Sequence, residues 1–290
     1  MGLSGRQIGE VGSSIPPGLH APLASTAVAY DLALIGGGNM GAALLGGLLQ
    51  GGVFAPEQVV VVELYADRRD ALSAMFPGVS ISESVPACSS AVLSVKPPDI
   101  VAVAAEAAAA GAARVLSIAA GVTIAAIEWA VGDGVAVLRA MPNTPALVGE
   151  GVSALAAGRH ASADDLDWAE RILAGVGLVV RLDEHHIDAV TGLTGSGPAY
   201  VFLAAEALIE AGVTAGIPRE TVEPMVVQLL VGSSKLLAER GDPAALRAMV
   251  TSPGGTTAAG LRVLEERATR GAFIDAVVAA TARSRELGSA

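Results

Sequence analysis

From Tyr30 onward the chain alternates short, mainly apolar runs with longer segments of helical period. Asp31-Leu-Ala-Leu-Ile35, Val59-Val-Val-Val-Glu63, Ala91-Val-Leu-Ser-Val95, Arg114-Val-Leu-Ser-Ile118 and Val135-Ala-Val-Leu138 each read as a strand buried on both faces. Helices are predicted between them over residues 42–49, 67–75, 100–110 and 124–130. Continuous apolar strands alternating with helices imply a parallel sheet covered on both sides. The expected fold class is therefore α/β, with an N-terminal Rossmann doubly wound sheet.

After Pro145 the pattern changes. Edge strands over residues 152–156 and 178–182 are predicted to flank a helix over 163–173, and from 184 onward only helices are expected. In the run 221–239, Val222, Met225, Val226, Leu229, Leu236 and Leu237 line one side, while Val227, Leu230 and Val231 add a second. A helix apolar on two sides is buried on two sides. So thin a helical segment cannot cover both, and the remainder points to a second subunit. The predicted division is a flexible extension over 1–29, a dinucleotide-binding domain over 30–183, and an all-helical dimerisation and substrate domain over 184–290.

Composition narrows the function classes. With 52% hydrophobic but only 3% aromatic residues, the core is built from small aliphatic side chains. The net charge of −11 and the lack of any basic run argue against nucleic acid. Cys88 is the only cysteine, which excludes an intrachain disulfide and suits a reducing, cytoplasmic setting. The four histidines (His20, His160, His185 and His186) are scattered. The adjacent pair reads as a solvated helix start, since neighbours on one helix diverge, and no metal site is expected. Residues 32–56 run 25 positions without a charge, long enough for a bilayer, yet hold eight glycines. They read as strand, tight loop and helix, with no membrane partner. The first 29 residues carry no apolar core of a signal peptide.

Gly36-Gly-Gly38-Asn-Met-Gly41 follows the first strand and opens the first helix, the context in which a Gly-x-Gly-x-x-Gly loop binds a dinucleotide. Glu63 ends the second strand 22 residues after Gly41, where an acid would hold the ribose 2′-hydroxyl of NAD. Arg68 and Arg69 lie just beyond and could instead hold a 2′-phosphate or simply be solvated; the choice stays open here. Lys96, one of two lysines, stands at the ligand-binding edge of the sheet. Ala119-Ala-Gly121 leaves room for a flat ring, and Arg139-Ala-Met-Pro-Asn-Thr-Pro145 offers proline-stiffened backbone; Arg139 reads equally as a scaffold ion pair.

Thr251-Ser-Pro-Gly-Gly-Thr-Thr257 sets two glycines and several hydroxyls at the doorway of a helix. Proline breaks the preceding helix, and a Ser or Thr is expected to cap the next. Free N–H groups at such a start also bind a carboxylate.

These motifs, with Ser94-Val-Lys-Pro97 and Asp188-Ala-Val-Thr-Gly-Leu-Thr-Gly-Ser-Gly-Pro-Ala-Tyr200, stand in an order that resembles pyrroline-5-carboxylate reductase. The resemblance implies a helical C-terminal domain interlocked in a homodimer, dimers assembled further into decamers, and an active site shared between two chains. It implies NADPH, or NADH, as cofactor, lined by Ile35, Gly36, Gly37, Gly38, Asn39, Met40, Ser94, Val95, Lys96, Pro97, Ala119, Ala120 and Asn143. It implies that Ser252, Gly254, Gly255 and Thr256 hold a cyclic imino acid by its carboxylate. Thr257 would face the ring nitrogen, with Glu184 as a nearby acid, and these two would be the catalytic residues. Two departures touch peripheral contacts: Leu246-Arg247-Ala248 replaces a common Leu-Lys-Asp triplet, and Met249 stands where some relatives have asparagine. A 3-hydroxyacid dehydrogenase is disfavoured because residues 196–210 lack its lysine. A non-enzymatic dinucleotide sensor would not need the hydroxyl-rich loop.

Overall fold

The structure, a computed structural model, describes Met1 and residues 30–288; the expectation of flexibility for 1–29 otherwise falls outside the described residues. The first half comprises β1 (Leu32–Ile35), α1 (Asn39–Gln50), β2 (Val59–Val62), α2 (Ala66–Met75), β3 (Ser80–Ser82), β4 (Ser90–Leu93), α3 (Ile100–Ala109), β5 (Arg114–Ser117), α4 (Ile124–Val131) and β6 (Ala136–Met141). Then follow β7 (Gly151–Ala157), α5 (Ala163–Ala174) and β8 (Gly177–Arg181). They form one sheet of order β3-β2-β1-β4-β5-β6-β7-β8, parallel except where β7 runs against β6.

Strand alternation splits the core between the two faces. Leu32 and Leu34 pack with Leu44, Leu45, Ile172 and Leu173 on the side of α1 and α5. Ala33 and Ile35 pack with Ile100, Ala104, Ile127 and Val137 on the side of α3 and α4. The small-residue composition is used directly where α1 meets the end of α5. A Cβ added to Gly47 would lie 2.6 Å from the Gly175 carbonyl oxygen, so these backbones touch.

Three expectations change. β3 escaped the pattern because it is three half-buried residues, two of them serines. β7 is an interior strand, not an edge, because a short 3₁₀ turn over Thr144–Val148 folds it back beside β6; of the two expected edge strands only β8 lies at an edge, the opposite edge being β3. And β6 continues to Met141, which places Arg139 inside the sheet at 4% exposure.

The remaining described chain is helical: α6 (Ile187–Val190), a π turn over Thr191–Gly195, α7 (Gly197–Thr214), α8 (Arg219–Arg240), α9 (Pro243–Met249), α10 (Thr256–Glu266) and α11 (Thr269–Gly288). Gly192 lets the π turn press on α11, since a Cβ there would meet Thr281 Oγ1 at 2.5 Å. On α8 only Val222 and Val226 are buried, against α7. Met225, Val227, Leu229, Val231, Leu236 and Leu237 remain exposed, as do Val201, Phe202 and Leu203 on α7. Within one chain these helices leave a broad apolar surface uncovered, which marks an association face. Among the described residues no helix is long and apolar enough to cross a membrane.

Candidate active site

The glycine loop is shaped by close approaches. Gly36 has φ +102°, and a Cβ on it would fall 2.4 Å from the Ser94 carbonyl oxygen. A Cβ on Gly41 would fall 2.2 Å from the Gly36 carbonyl oxygen, so α1 starts directly on the turn. Gly37 donates its N–H to Glu63 Oε2 at 3.0 Å. Gly38 is the N-cap of α1, has open space where its Cβ would be, and offers no side chain to the first-turn N–H groups. Those donors face outward at the positive end of the helix, which suits a pyrophosphate.

The charged residues beside the loop are engaged. Glu63 also accepts the Tyr65 N–H at 3.0 Å. Arg68 donates Nε to the Gly37 carbonyl at 2.6 Å, bracing the loop. Arg69 donates to the carbonyls of Glu63 and Leu64 and pairs with Glu83. Neither arginine is merely solvated, and both stand beside the end of β2.

Along the same sheet edge, Ser94 and Val95 are half-buried, and Lys96 and Pro97 are exposed. Ala119 is buried and Ala120 half-buried, leaving a shelf with no large side chain. A cleft of about 660 Å³ opens here between Pro97, Gly121 and Thr123 on one side and Arg283, Ser284 and Leu287 of α11 on the other. Asn143 is 8% exposed, and its amide is used at both ends: Nδ2 donates to the Thr194 carbonyl and Oδ1 accepts the Val152 N–H. It therefore ties the β6–β7 connection to the π turn.

Glu184 lies on the α3–α4 side of the sheet. Its Oε1 accepts from Arg139 Nη1 at 2.9 Å and from the Ile124 N–H at 2.7 Å, at the start of α4. The Arg139 side chain is 5% exposed and that of Glu184 31%, and Arg139 Nε is buried without a partner. One signal for this pair was present in the sequence: an arginine within an apolar strand run must find a carboxylate if it is buried. The Asp188–Ser284 bond that joins α6 to α11 at 2.6 Å had no such signal.

The anion-loop candidate lies elsewhere on the chain. Ser252 and Thr256 are exposed, Gly255 and Thr257 half-buried, and Gly254 takes φ +70°. The expected Ser or Thr cap is not the one found. Gly255 is the N-cap of α10, and no side chain accepts from that helix's first turn. The cause is the glycine pair, which brings the Gly255 N–H onto the Ser252 carbonyl at 3.0 Å and turns the chain one step later. The first-turn N–H groups of α10 are thereby left to an outside acceptor. None of Thr251–Thr257 lines the cleft at the sheet edge.

The histidine pair is exposed at the start of α6 as expected, but its rings do not diverge. Asp183, His185 and His186 all lie at the surface, with the imidazole centroids 3.8 Å apart and the rings inclined at 40°. Glu184–His186 forms a 3₁₀ turn, on which neighbours leave the backbone about 120° apart, and it is the rotation of the two exposed side chains that brings the rings together.

A complete Rossmann edge followed by an all-helical association segment defines a nicotinamide-dependent oxidoreductase of the two-domain kind. Residues 184–287 match the pyrroline-5-carboxylate reductase dimerisation family, and residues 31–121 match the family described as NADP oxidoreductase, coenzyme F420-dependent. The pyrroline-5-carboxylate reductase of Synechocystis is 43% identical, covering 90% of this chain and 99% of its own. That of Mycobacterium tuberculosis is 40% identical over 88% and 96%. Among solved structures, the Coxiella burnetii pyrroline-5-carboxylate reductase superposes with a TM-score of 0.83 at 36% identity, covering 89% of this chain and 98% of that one. The Plasmodium falciparum pyrroline carboxylate reductase with NADP bound gives 0.78 at 29% identity, covering 90% and 99%. The chain belongs to the pyrroline-5-carboxylate reductase family.

Proposed function

We propose that this chain reduces the C=N bond of 1-pyrroline-5-carboxylate to give L-proline, the last step of proline biosynthesis, in the cytoplasm. The observation that carries the reading is the uncapped start of α10 beside three hydroxyls, on a chain that also has a dinucleotide loop. The dinucleotide portion is taken as residues 30–183 and the dimerisation and substrate portion as 184–290.

A reduced nicotinamide held along Ser94–Pro97 and Ala119–Ala120 would supply the hydride for the imine carbon, and the nitrogen would gain a proton. The first-turn N–H groups of α10, with Ser252, Gly254, Gly255 and Thr256, hold the substrate carboxylate. Thr257 orients the ring nitrogen. Such a site works by positioning, which can supply several kcal/mol of the barrier without a strong acid. Glu184 shares its charge with Arg139, so its part is to hold the junction of sheet and helices that frames the site, rather than to meet the iminium as a free anion.

The anion loop is absent from the cleft of its own chain, so the loop of a second chain completes the site. The exposed apolar faces of α7 and α8 make the dimer its smallest unit, and decamers are the expected larger assembly. NADPH is the proposed cofactor: Arg68 and Arg69 bring two guanidinium groups to the end of β2, where a 2′-phosphate would lie. Cofactor contacts are assigned to Ile35 through Met40, Ser94 through Pro97, Ala119, Ala120 and Asn143. Steady-state oxidation of NADPH and NADH with pyrroline-5-carboxylate tests both points. No turnover with either would end the assignment, and a preference for NADH would end the cofactor choice.

A further inference from the structure

We propose that Asp183, His185 and His186 form a binding site for a divalent transition-metal cation of the zinc type. One ligand atom from each residue falls within 4.8 Å of the other two, and all three side chains are exposed. Ligands on a tetrahedral zinc with bonds of 2.0–2.1 Å sit about 3.4 Å apart. Small rotations of free surface side chains close that gap. The two imidazole rings lie against each other with centroids 3.8 Å apart.

The backbone beneath them is already fixed. His186 donates its N–H to the Asp183 carbonyl at 3.0 Å, and Leu182 donates to Leu155 in the sheet at 3.0 Å. Glu184, between the ligands, is pinned by Arg139 and Ile124, and Ile187 after them is 0% exposed. A turn held at both ends loses little further freedom on binding, which favours affinity. Two imidazoles with centroids 3.8 Å apart can each turn one nitrogen toward the same cation. Two nitrogens and one carboxylate suit Zn²⁺, Ni²⁺ or Cu²⁺, while Mg²⁺ and Ca²⁺ call for oxygen ligands. Water would fill the remaining position.

Such a cation would clamp the turn that leads from β8 into α6, the junction that also carries Glu184. Binding would therefore register as stiffening of this junction, apart from any effect on turnover.

The test is calorimetric titration of the untagged full-length chain with Zn²⁺, with Mg²⁺ as the control cation, accompanied by thermal unfolding. The expected result is saturation at one Zn²⁺ per chain, a raised Tm that Mg²⁺ does not reproduce, and loss of both in His185→Ala/His186→Ala. Asp183→Asn, which removes the charge of a direct ligand, should weaken binding by about a hundredfold, the upper side of what outer-shell changes cost. His160→Ala should leave stoichiometry and affinity unchanged. Absence of saturable binding, or wild-type binding in the double variant, would overturn the site. Loss of binding in His160→Ala with the double variant intact would place the metal elsewhere and overturn it equally.

Discussion

Arg139 on β6 and Glu184 on the first turn after the sheet are joined by a 2.9 Å ion pair that also caps α4 through the Ile124 N–H. Three elements thus meet at one carboxylate oxygen. The arginine is almost wholly buried and the glutamate partly open, so the two ends of the pair are not equivalent.

Glu184→Gln keeps an acceptor for Ile124 but leaves the Arg139 guanidinium buried without its counter-charge. Breaking a buried pair in this way costs about 3–5 kcal/mol, and the partial exposure of Glu184 reduces the expectation to about 1–3 kcal/mol. Arg139→Met should cost less, because the carboxylate left behind can reach water. Urea denaturation measures both. Equal stability of Glu184→Gln and wild type would show that the pair does not hold the junction.

The glycine loop separates a folding requirement from a binding one. Gly36→Ala places a Cβ against the Ser94 carbonyl at a φ of +102°, so the variant should be strongly destabilised. Gly38→Asp meets no neighbour within 4 Å and needs no unusual φ, so it should fold normally. Its carboxylate would nevertheless stand where the pyrophosphate binds and should abolish cofactor affinity. Thermal unfolding and cofactor titration together separate the two. A Gly38→Asp protein that binds NADPH as wild type would move the pyrophosphate off α1.

How much of this was legible beforehand depends on the range of the physics involved. The strand at Leu32–Ile35, the loop and α1 follow from local pattern, because a two-sided apolar strand and a glycine turn need few distant partners. The direction of β7 did not, since it depends on the turn at Thr144–Val148 sending the chain back along β6. The same long-range step hid Arg139 inside the sheet and gave Asn143 two backbone partners that no spacing announces. For His185 and His186, divergence of neighbouring backbone positions does not keep the rings apart, because the exposed side chains rotate toward each other. The cap of α10 was misread because the glycines rather than the hydroxyls set that turn.

Cys88 is 0% exposed, and burial pushes its thiol up from 9.0 to about 11. The unfolded thiol ionises near 9 while the folded one stays protonated. The resulting stabilisation is complete below pH 9 and is lost as pH rises from 9 through 11. At 1.36 kcal/mol per unit it amounts to at most about 2–3 kcal/mol. Stability curves of wild type and Cys88→Ala should converge over that range, because the variant has no thiol to ionise. Parallel curves would mean that the buried thiol does not contribute to alkaline unfolding.

Thr257→Ala should lower turnover and weaken proline binding while leaving cofactor affinity unchanged, since the hydroxyl serves the substrate ring and not the dinucleotide. It also supplies half of a test for a site built by two chains. Gly38→Asp damages only the cofactor side, and Thr257→Ala only the substrate side. If each site takes its dinucleotide edge from one chain and its anion loop from the other, a mixed dimer has one site with both lesions and one with neither. Random pairing of co-expressed, differently tagged chains should then restore about a quarter of the wild-type sites from two impaired parents. If both halves came from the same chain, every site in the mixed dimer would carry one lesion, and no activity above the parents would return. Purified mixed dimers, assayed beside each parent, distinguish the two arrangements directly.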